Sequence, residues 1–261
     1  MNASEATLGP LIKQGCKDLH LPSIGSRAEP LAEEATRSGL SHLAYLAALL
    51  ETELDDRAER RRHRLISEAK FPRLKRLEDF KFEDAPQIPV ATVRELATCR
   101  FVERAENVIL LGESGTGKSH LAIGLGIASC MQSRRTRFTT TAGLVNELLE
   151  ARSDRSLSRV IARYRRYDLL VLDDFCYLPL AQHEAELLFQ VLDERSELTA
   201  LVVTTNLPFS EWTKMFPDAR LCRAVVDRLT FNAHIVETGA DSWRFKKTLN
   251  RQGKAVMPDS K

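Results

Sequence analysis

Eight residues near the middle of the chain have the types and spacing to hold a polyphosphate. Gly112-Glu113-Ser114-Gly115-Thr116-Gly117-Lys118-Ser119 satisfy every fixed position of GxxxxGK[ST]. The glycines allow the backbone to turn at positive φ and bring several N–H groups close to phosphate oxygens. A helix starting at the lysine presents its positive end to the same anion. Lys118 supplies an ammonium for the β- and γ-phosphates, and Ser119 a hydroxyl ligand for Mg²⁺. With His120 next in the chain, residues 112–120 form the candidate nucleotide-binding set, and the implied ligands are ATP and Mg²⁺.

Two further strand-like runs end in polar residues. Leu169-Leu170-Val171-Leu172 leads into Asp173-Asp174. A buried strand delivers its last residues to the C-terminal edge of a sheet, where open α/β folds bind their ligands. Asp173 is expected to hold Mg²⁺, directly or through water, and Asp174 to orient or activate the attacking water. Many ATPases have Glu at that second position; Asp is one methylene shorter, which implies slow hydrolysis. Leu201-Val202-Val203-Thr204-Thr205 ends in Asn206, an amide placed to hydrogen-bond the γ-phosphate or the water. Arg220, Arg223 and Arg228 fall on a predicted helix from Asp218 to Leu229. Of these Arg228 is the choice for an arginine presented to a neighbouring subunit's γ-phosphate. Lys118, Asp173, Asp174, Asn206 and Arg228 are thus the candidate catalytic residues. Arg244 is a weaker phosphate-sensing candidate, and a surface arginine near Asp241 is the preferred reading of it.

The elements that must position these residues can be read from periodicity. Strands are expected at Asn107–Leu111, Thr136–Thr141, Asp168–Leu172 and Leu201–Thr205. Helices are expected at Val90–Arg104, Lys118–Met131, Ala142–Arg152, Ser156–Arg166 and His183–Ser196. Apolar strands alternating with helices indicate a parallel sheet covered by helices on both faces, an α/β P-loop NTPase. Upstream, Leu40, Leu43, Leu46, Ala47 and Leu50 recur at helical spacing, and Pro72 should end that pattern. The predicted division is a flexible segment over 1–30, a small all-α N-terminal domain over 31–78, the ATP-binding domain over 79–245, and a C-terminal tail over 246–261.

Charge is unevenly spread. Arg57 to Arg76 holds nine basic residues and only two acids, Glu59 and Glu68. Two acids cannot neutralise nine bases, so this stretch is expected to contact a polyanion, with Arg57, Arg60, Arg61, Arg62 and Arg64 as the candidate contacts. A second stretch, Arg134 to Arg166, has nine arginines against three acids. Arg152, Arg155, Arg159, Arg163 and Arg166 are spaced to form one basic stripe if the helix is continuous, with a break foreseen near Ser153–Ser156. With no base-reading motif, any nucleic-acid contacts of Arg152, Arg155, Arg159 and Arg163 would be mostly to the backbone and salt-dependent. The five cysteines form no metal-binding pattern and read as free thiols in a reducing compartment. No apolar run nears the ~18–20 residues that span a bilayer, so the expected location is cytoplasmic, with no membrane partner.

Longer stretches carry a resemblance. Leu77-Glu78-Asp79-Phe80, Phe101 to Val108 (FVERAENV), Leu170 to Leu180 (LVLDDFCYLPL) and Val203 to Trp212 (VTTNLPFSEW) resemble the IstB-type ATP-binding helpers of insertion-sequence transposases. That family is close to the DnaC-type helicase loaders within the AAA+ class. The resemblance covers roughly residues 30–245, and in it the paired aspartates look like the family's own form of this strand end. It implies an AAA+ ATPase that oligomerises on target DNA with ATP at protomer interfaces, Arg228 reaching across, and that recruits and stimulates a partner transposase. It also implies DNA contacts from the N-terminal helical region. The alternative is a DnaC-like replicative helicase loader; a P-loop kinase for a small substrate is disfavoured by the arginine-rich stretches and by Asn206.

Overall fold

The computed structural model describes residues 5–240. Arg244 and the 246–261 tail lie outside the described residues. The chain falls into two compact units, Met1–Arg64 and Leu65–Lys261.

The first unit is helical: α1 (Glu5–Asp18), α2 (Pro22–Arg37) and most of α3 (His42–Glu68). Residues expected to be a flexible segment thus carry two helices. The prolines that suggested loop are accommodated: Pro22 stands in the first turn of α2, where a missing N–H costs nothing, while Pro10 and Pro30 lie inside their helices. Cys16, Ala28, Ala35 and Leu49 make a small buried centre. Beside it Glu53, 3% exposed, accepts from the N–H groups of Ser23 (2.9 Å) and Ile24 (3.2 Å) and from Arg57 Nε at 2.7 Å. Its carboxylate therefore serves as the N-terminal cap of α2, which has none of its own.

Burial raises the pKa of Glu53, but the Arg57 guanidinium and the two backbone N–H groups outweigh it, so the carboxyl titrates below its ordinary value. A carboxylate depressed in the folded state stabilises fully above its unfolded pKa and loses that contribution as pH falls through the folded one. Glu53→Gln is accordingly expected to lower the melting temperature at pH 7, with the difference shrinking as pH falls below the ordinary glutamate value of about 4.5. Thermal melts of both proteins across that range check it; a constant difference rules the linkage out.

The second unit is a five-stranded sheet: β1 (Asn107–Leu111), β2 (Thr136–Thr140), β3 (Leu169–Phe175), β4 (Ala200–Thr205) and β5 (Ala233–Glu237). Its order is β2-β3-β4-β1-β5, with every pairing parallel. Side chains alternate between two cores. Ile109, Leu170, Leu172, Leu201 and Val203 enter one, with α7 (Thr141–Ser153), α8 (Leu157–Arg165), α9 (Gln182–Arg195) and α10 (Ala219–Thr230). Val108, Leu110, Leu169, Val171 and Val202 enter the other, with α4 (Val90–Ala97), α5 (Arg100–Glu103) and α6 (Lys118–Met131). Burial on both faces explains the uninterrupted apolar runs of β1, β3 and β4. Each fully buried Leu or Val contributes about 1.5–3 kcal/mol of transfer free energy.

Two local departures from the sequence reading, and the break foreseen near Ser153–Ser156, have physical causes. The helix expected over Val90–Arg104 is two pieces, because Cys99 adopts a left-handed φ of 55° between α4 and α5. The arginine stripe is interrupted: α7 ends at Ser153, α8 starts at Leu157, and Arg155 between them has φ 54°. Finally, β5 was not anticipated, since only Val236 of its five residues is buried and its sequence lacks an apolar run. All five cysteines are buried and free. Burial pushes Cys99 and Cys130 up to about 11, so both remain thiols at neutral pH.

Candidate nucleotide site

The parallel order places β4 between β1 and β3, so their C-terminal ends bring the phosphate-loop sequence, Asn206 and the paired aspartates to one edge. The loop follows β1 directly, and Gly112, Gly115 and Gly117 all have positive φ (154°, 87° and 101°). Gly117 occupies the N-cap of α6 without any side-chain cap, leaving the first-turn N–H groups for an anion. Lys118 is buried and donates to the carbonyls of Gly112 (2.6 Å) and Glu113 (2.7 Å), so its ammonium lies within the loop's own curve.

Residues absent from the sequence reading hold this loop from the far side. Thr238, fully buried just after β5, shares a 2.6 Å hydrogen bond with Thr116. The Glu113 N–H donates to the Gly239 carbonyl at 3.0 Å, and Gln87 Nε2 donates to the Thr238 carbonyl at 2.6 Å. A Cβ at Gly112 would lie 2.7 Å from the Gly239 carbonyl oxygen, so glycine is required there for close packing as well as for φ. No periodicity marks Thr238 or Gly239; they follow a strand whose pattern is too polar to announce itself.

The two aspartates are held differently. Asp173 is buried, and its Oδ1 accepts from Ser119 Oγ at 2.9 Å and from Thr204 Oγ1. Asp174 is exposed with φ 56°, at a register irregularity between Leu172 and Phe175, and its N–H donates to the same Thr204 hydroxyl at 2.9 Å. A left-handed Asp costs roughly 1 kcal/mol, and it turns consecutive side chains to different places. Thr204, read beforehand only as strand, fixes both. Ser119 and Asp173 offer two hard oxygen donors beside the lysine and the uncapped helix end. That donor set fits Mg²⁺ with a polyphosphate.

Asn206 directly follows β4 and is half-buried. Arg228, on α10, donates to Asp193 (3.0 Å) and Asp227 (3.2 Å) and lies 5.7 Å over the Phe189 ring. Asn107, the first residue of β1, donates to the carbonyls of Arg228 and Leu229, both at 3.1 Å, and so ties the end of α10 to the strand that carries the loop.

The expected DNA contacts fall in both units, and some are engaged internally. Arg57 and Arg60 both pair with buried Glu53, Arg57 also with the His20 carbonyl, and Arg62 pairs with Glu59. Arg61 and Arg64 are exposed. In the second unit Arg152, Arg155 and Arg159 are exposed, whereas Arg163 pairs with Glu147 and stacks on Tyr164. Among the described residues no group of three or more His, Cys, Asp or Glu side chains is placed to hold a metal ion, and no helix is long and apolar enough to cross a membrane.

A family model described as IstB-like ATP binding protein matches residues 14–251. The chain belongs to that family. It is 37% identical over 246 residues to an insertion-sequence ATP-binding protein of Sinorhizobium fredii, covering 94% of this chain and 81% of that protein. It is 35% identical over 229 residues to the IS21 ATP-binding protein of Pseudomonas aeruginosa, covering 88% and 86%. Among solved structures it is similar to AMPPCP-bound DnaA from Aquifex aeolicus, with TM-score 0.55 and 19% identity over 73% of this chain and 58% of that one. The last likeness speaks for the fold alone: this IstB-like chain has the P-loop AAA+ architecture.

Proposed function

We propose that the protein is an ATP- and Mg²⁺-dependent AAA+ ATPase that assembles on duplex DNA and serves a partner transposase during transposition. The observation that carries this reading is the phosphate loop facing Asp173 at one sheet edge, in a chain of the IstB-like family. In this reading the loop N–H groups and Lys118 bind the triphosphate, and residues 112–120 form the nucleotide cradle. Ser119 and Asp173 hold the metal, which when bound neutralises charge on the β- and γ-phosphates. Asp174 accepts a proton from, or orients, the attacking water, and Asn206 fixes that water or the γ-phosphate. Arg228 would leave its aspartates to reach a neighbouring protomer's nucleotide, so assembly and hydrolysis would be linked.

The basic residues supply the DNA contact. Arg57, Arg60, Arg61, Arg62 and Arg64 in the first unit, and Arg152, Arg155, Arg159 and Arg163 in the second, would meet backbone phosphates. Exchanging Arg61, Arg64, Arg155 and Arg159 for glutamine is expected to weaken duplex binding and to flatten the dependence of log K on log salt, by about 0.9 for each phosphate no longer neutralised. An unchanged slope identifies those charges as solvated surface. Sizing of the wild-type protein with duplex and ATP tests the assembly itself. Nucleotide-dependent large species on DNA are the expected result, and Arg228→Ala should bind ATP yet stay small. A complex formed only with a replicative helicase, and none on duplex DNA, would transfer the protein to the loader class.

A further inference from the structure

The segment Ala69–Phe80 lies along α6 for nearly its whole length, and α6 makes room for it with glycines. A Cβ at Gly126 would lie 2.7 Å from Phe71 Cε1; at Gly124, 2.5 Å from Leu77 Cδ2 and 2.8 Å from Leu77 Cγ; at Gly117, 2.6 Å from Phe80 Cε2. Three aromatic or aliphatic side chains of the segment thus occupy three places that no larger residue of the helix leaves open. Polar and aromatic contacts fix the same strap. His120 Nε2 donates to the Arg76 carbonyl at 2.8 Å, and the Phe80 ring stands edge-on to His120 (5.2 Å) and Phe82 (4.9 Å). At the other end the Phe138 N–H of β2 donates to the Ala69 carbonyl at 2.8 Å, and Leu65 and Ala69 pack on Cys130.

The strap has a second property. It carries Lys70, Arg73, Lys75 and Arg76, the C-terminal part of the first basic stretch, and none of these side chains is buried. One end of the strap rests on the phosphate loop at Gly117, and its outer surface bears phosphate-seeking cations. Close-packed contacts of this kind do not compress, so a shift of Gly117 and the first turn of α6 must move Phe80, Leu77 and the residues between them together.

We propose that this strap couples the nucleotide site to nucleic-acid backbone binding, with Lys70, Arg73, Lys75 and Arg76 as a phosphate-contact surface that responds to the loop. The inference rests on the ATP- and DNA-dependent reading above. Leu77 and Phe80 act as positioning residues, through contact with the helix rather than with nucleotide.

The test is a double-mutant cycle on the Leu77–Gly124 contact, well down α6 from the phosphates. Duplex affinity of the full chain is measured at one salt concentration with ATP and without nucleotide, and nucleotide affinity is measured separately. The wild-type ratio of the two duplex affinities is expected within the roughly 5- to 150-fold range of two-site coupling. Leu77→Ala removes the wedge and Gly124→Ala pushes it out. Each is expected to keep nucleotide affinity within about threefold while the ratio falls toward one. Combined, they should restore part of the ratio, because the new methyl group at 124 fills the space that the Leu77 side chain vacates and is left with only the 3.2 Å approach to the residue 77 backbone N. Should Gly124→Ala fail to fold, Leu77→Ala against Leu77→Met decides, methionine preserving the ratio by refilling the gap. A ratio that survives intact in Leu77→Ala overturns the coupling alone. A wild-type ratio of one overturns the underlying DNA reading, and the coupling with it.

Discussion

Lys118→Ala is expected to lower ATP affinity by roughly 100-fold or more and to remove nucleotide-dependent DNA assembly with it. The ammonium sits inside the loop, donating to the Gly112 and Glu113 carbonyls. Charge-assisted hydrogen bonds to phosphate contribute about 1.5–3 kcal/mol each, and 1.4 kcal/mol is a factor of ten. Loss of two such bonds therefore gives the stated effect. The fold should persist, because the glycines, Thr116 and Thr238 that shape the loop are untouched, and the melting temperature should change by only a few degrees. Titration with a fluorescent ATP analogue measures the affinity. Wild-type binding by a folded Lys118→Ala protein would falsify the placement of the triphosphate in this loop.

Asp173→Ala is expected to reduce Mg²⁺-dependent phosphate release by about 10³ while nucleotide binding without metal stays near wild type. Metal stabilisation of transition-state charge amounts to several kcal/mol, and each 1.36 kcal/mol is tenfold in rate. Asp173 is also the acceptor for Ser119 and Thr204, so its loss releases the serine hydroxyl from its fixed direction. Asp174→Ala separates the two roles: turnover falls, but Mg²⁺ should still tighten nucleotide binding. Titrations with and without Mg²⁺, alongside phosphate-release rates, distinguish these variants. If Asp173→Ala turns over as fast as wild type, the metal is held by other groups.

The parts of the site that could be read beforehand are those where chemistry demands particular residue types. The loop needs glycines and a lysine, and the metal needs oxygen donors at the end of a buried strand. Both leave a local signature, and the apolar runs of β1, β3 and β4 announced the sheet that carries them. The remainder depends on tertiary contact. Thr238 and Gly239 matter because β5 pairs with β1 in space, and five residues of which only Val236 is buried give no pattern from which to infer that pairing. Thr204 matters because β4 lies beside β3, so its hydroxyl meets two aspartates at once. In the first unit, prolines suggested loop because local propensity could not reveal that Glu53 caps α2 from 30 residues away. Arg57 and Arg60, counted as uncompensated charge, partly answer that same buried carboxylate.

The pairing of β1 also bears on the order in which the molecule can be made. Its two neighbours, β4 and β5, leave the ribosome after the other strands of the sheet, whereas β1 itself emerges well before them. Contacts between such distant segments form slowly, and an apolar strand waiting for them is exposed to mispairing. Strand β1 must therefore remain unsatisfied through much of synthesis, and its loop cannot be braced until the Thr238–Gly239 turn exists. A nascent chain interrupted anywhere before that turn possesses the whole GxxxxGKS sequence and lacks the brace that gives it shape. The loop thus gains this support only at the end of synthesis, once that turn has been made.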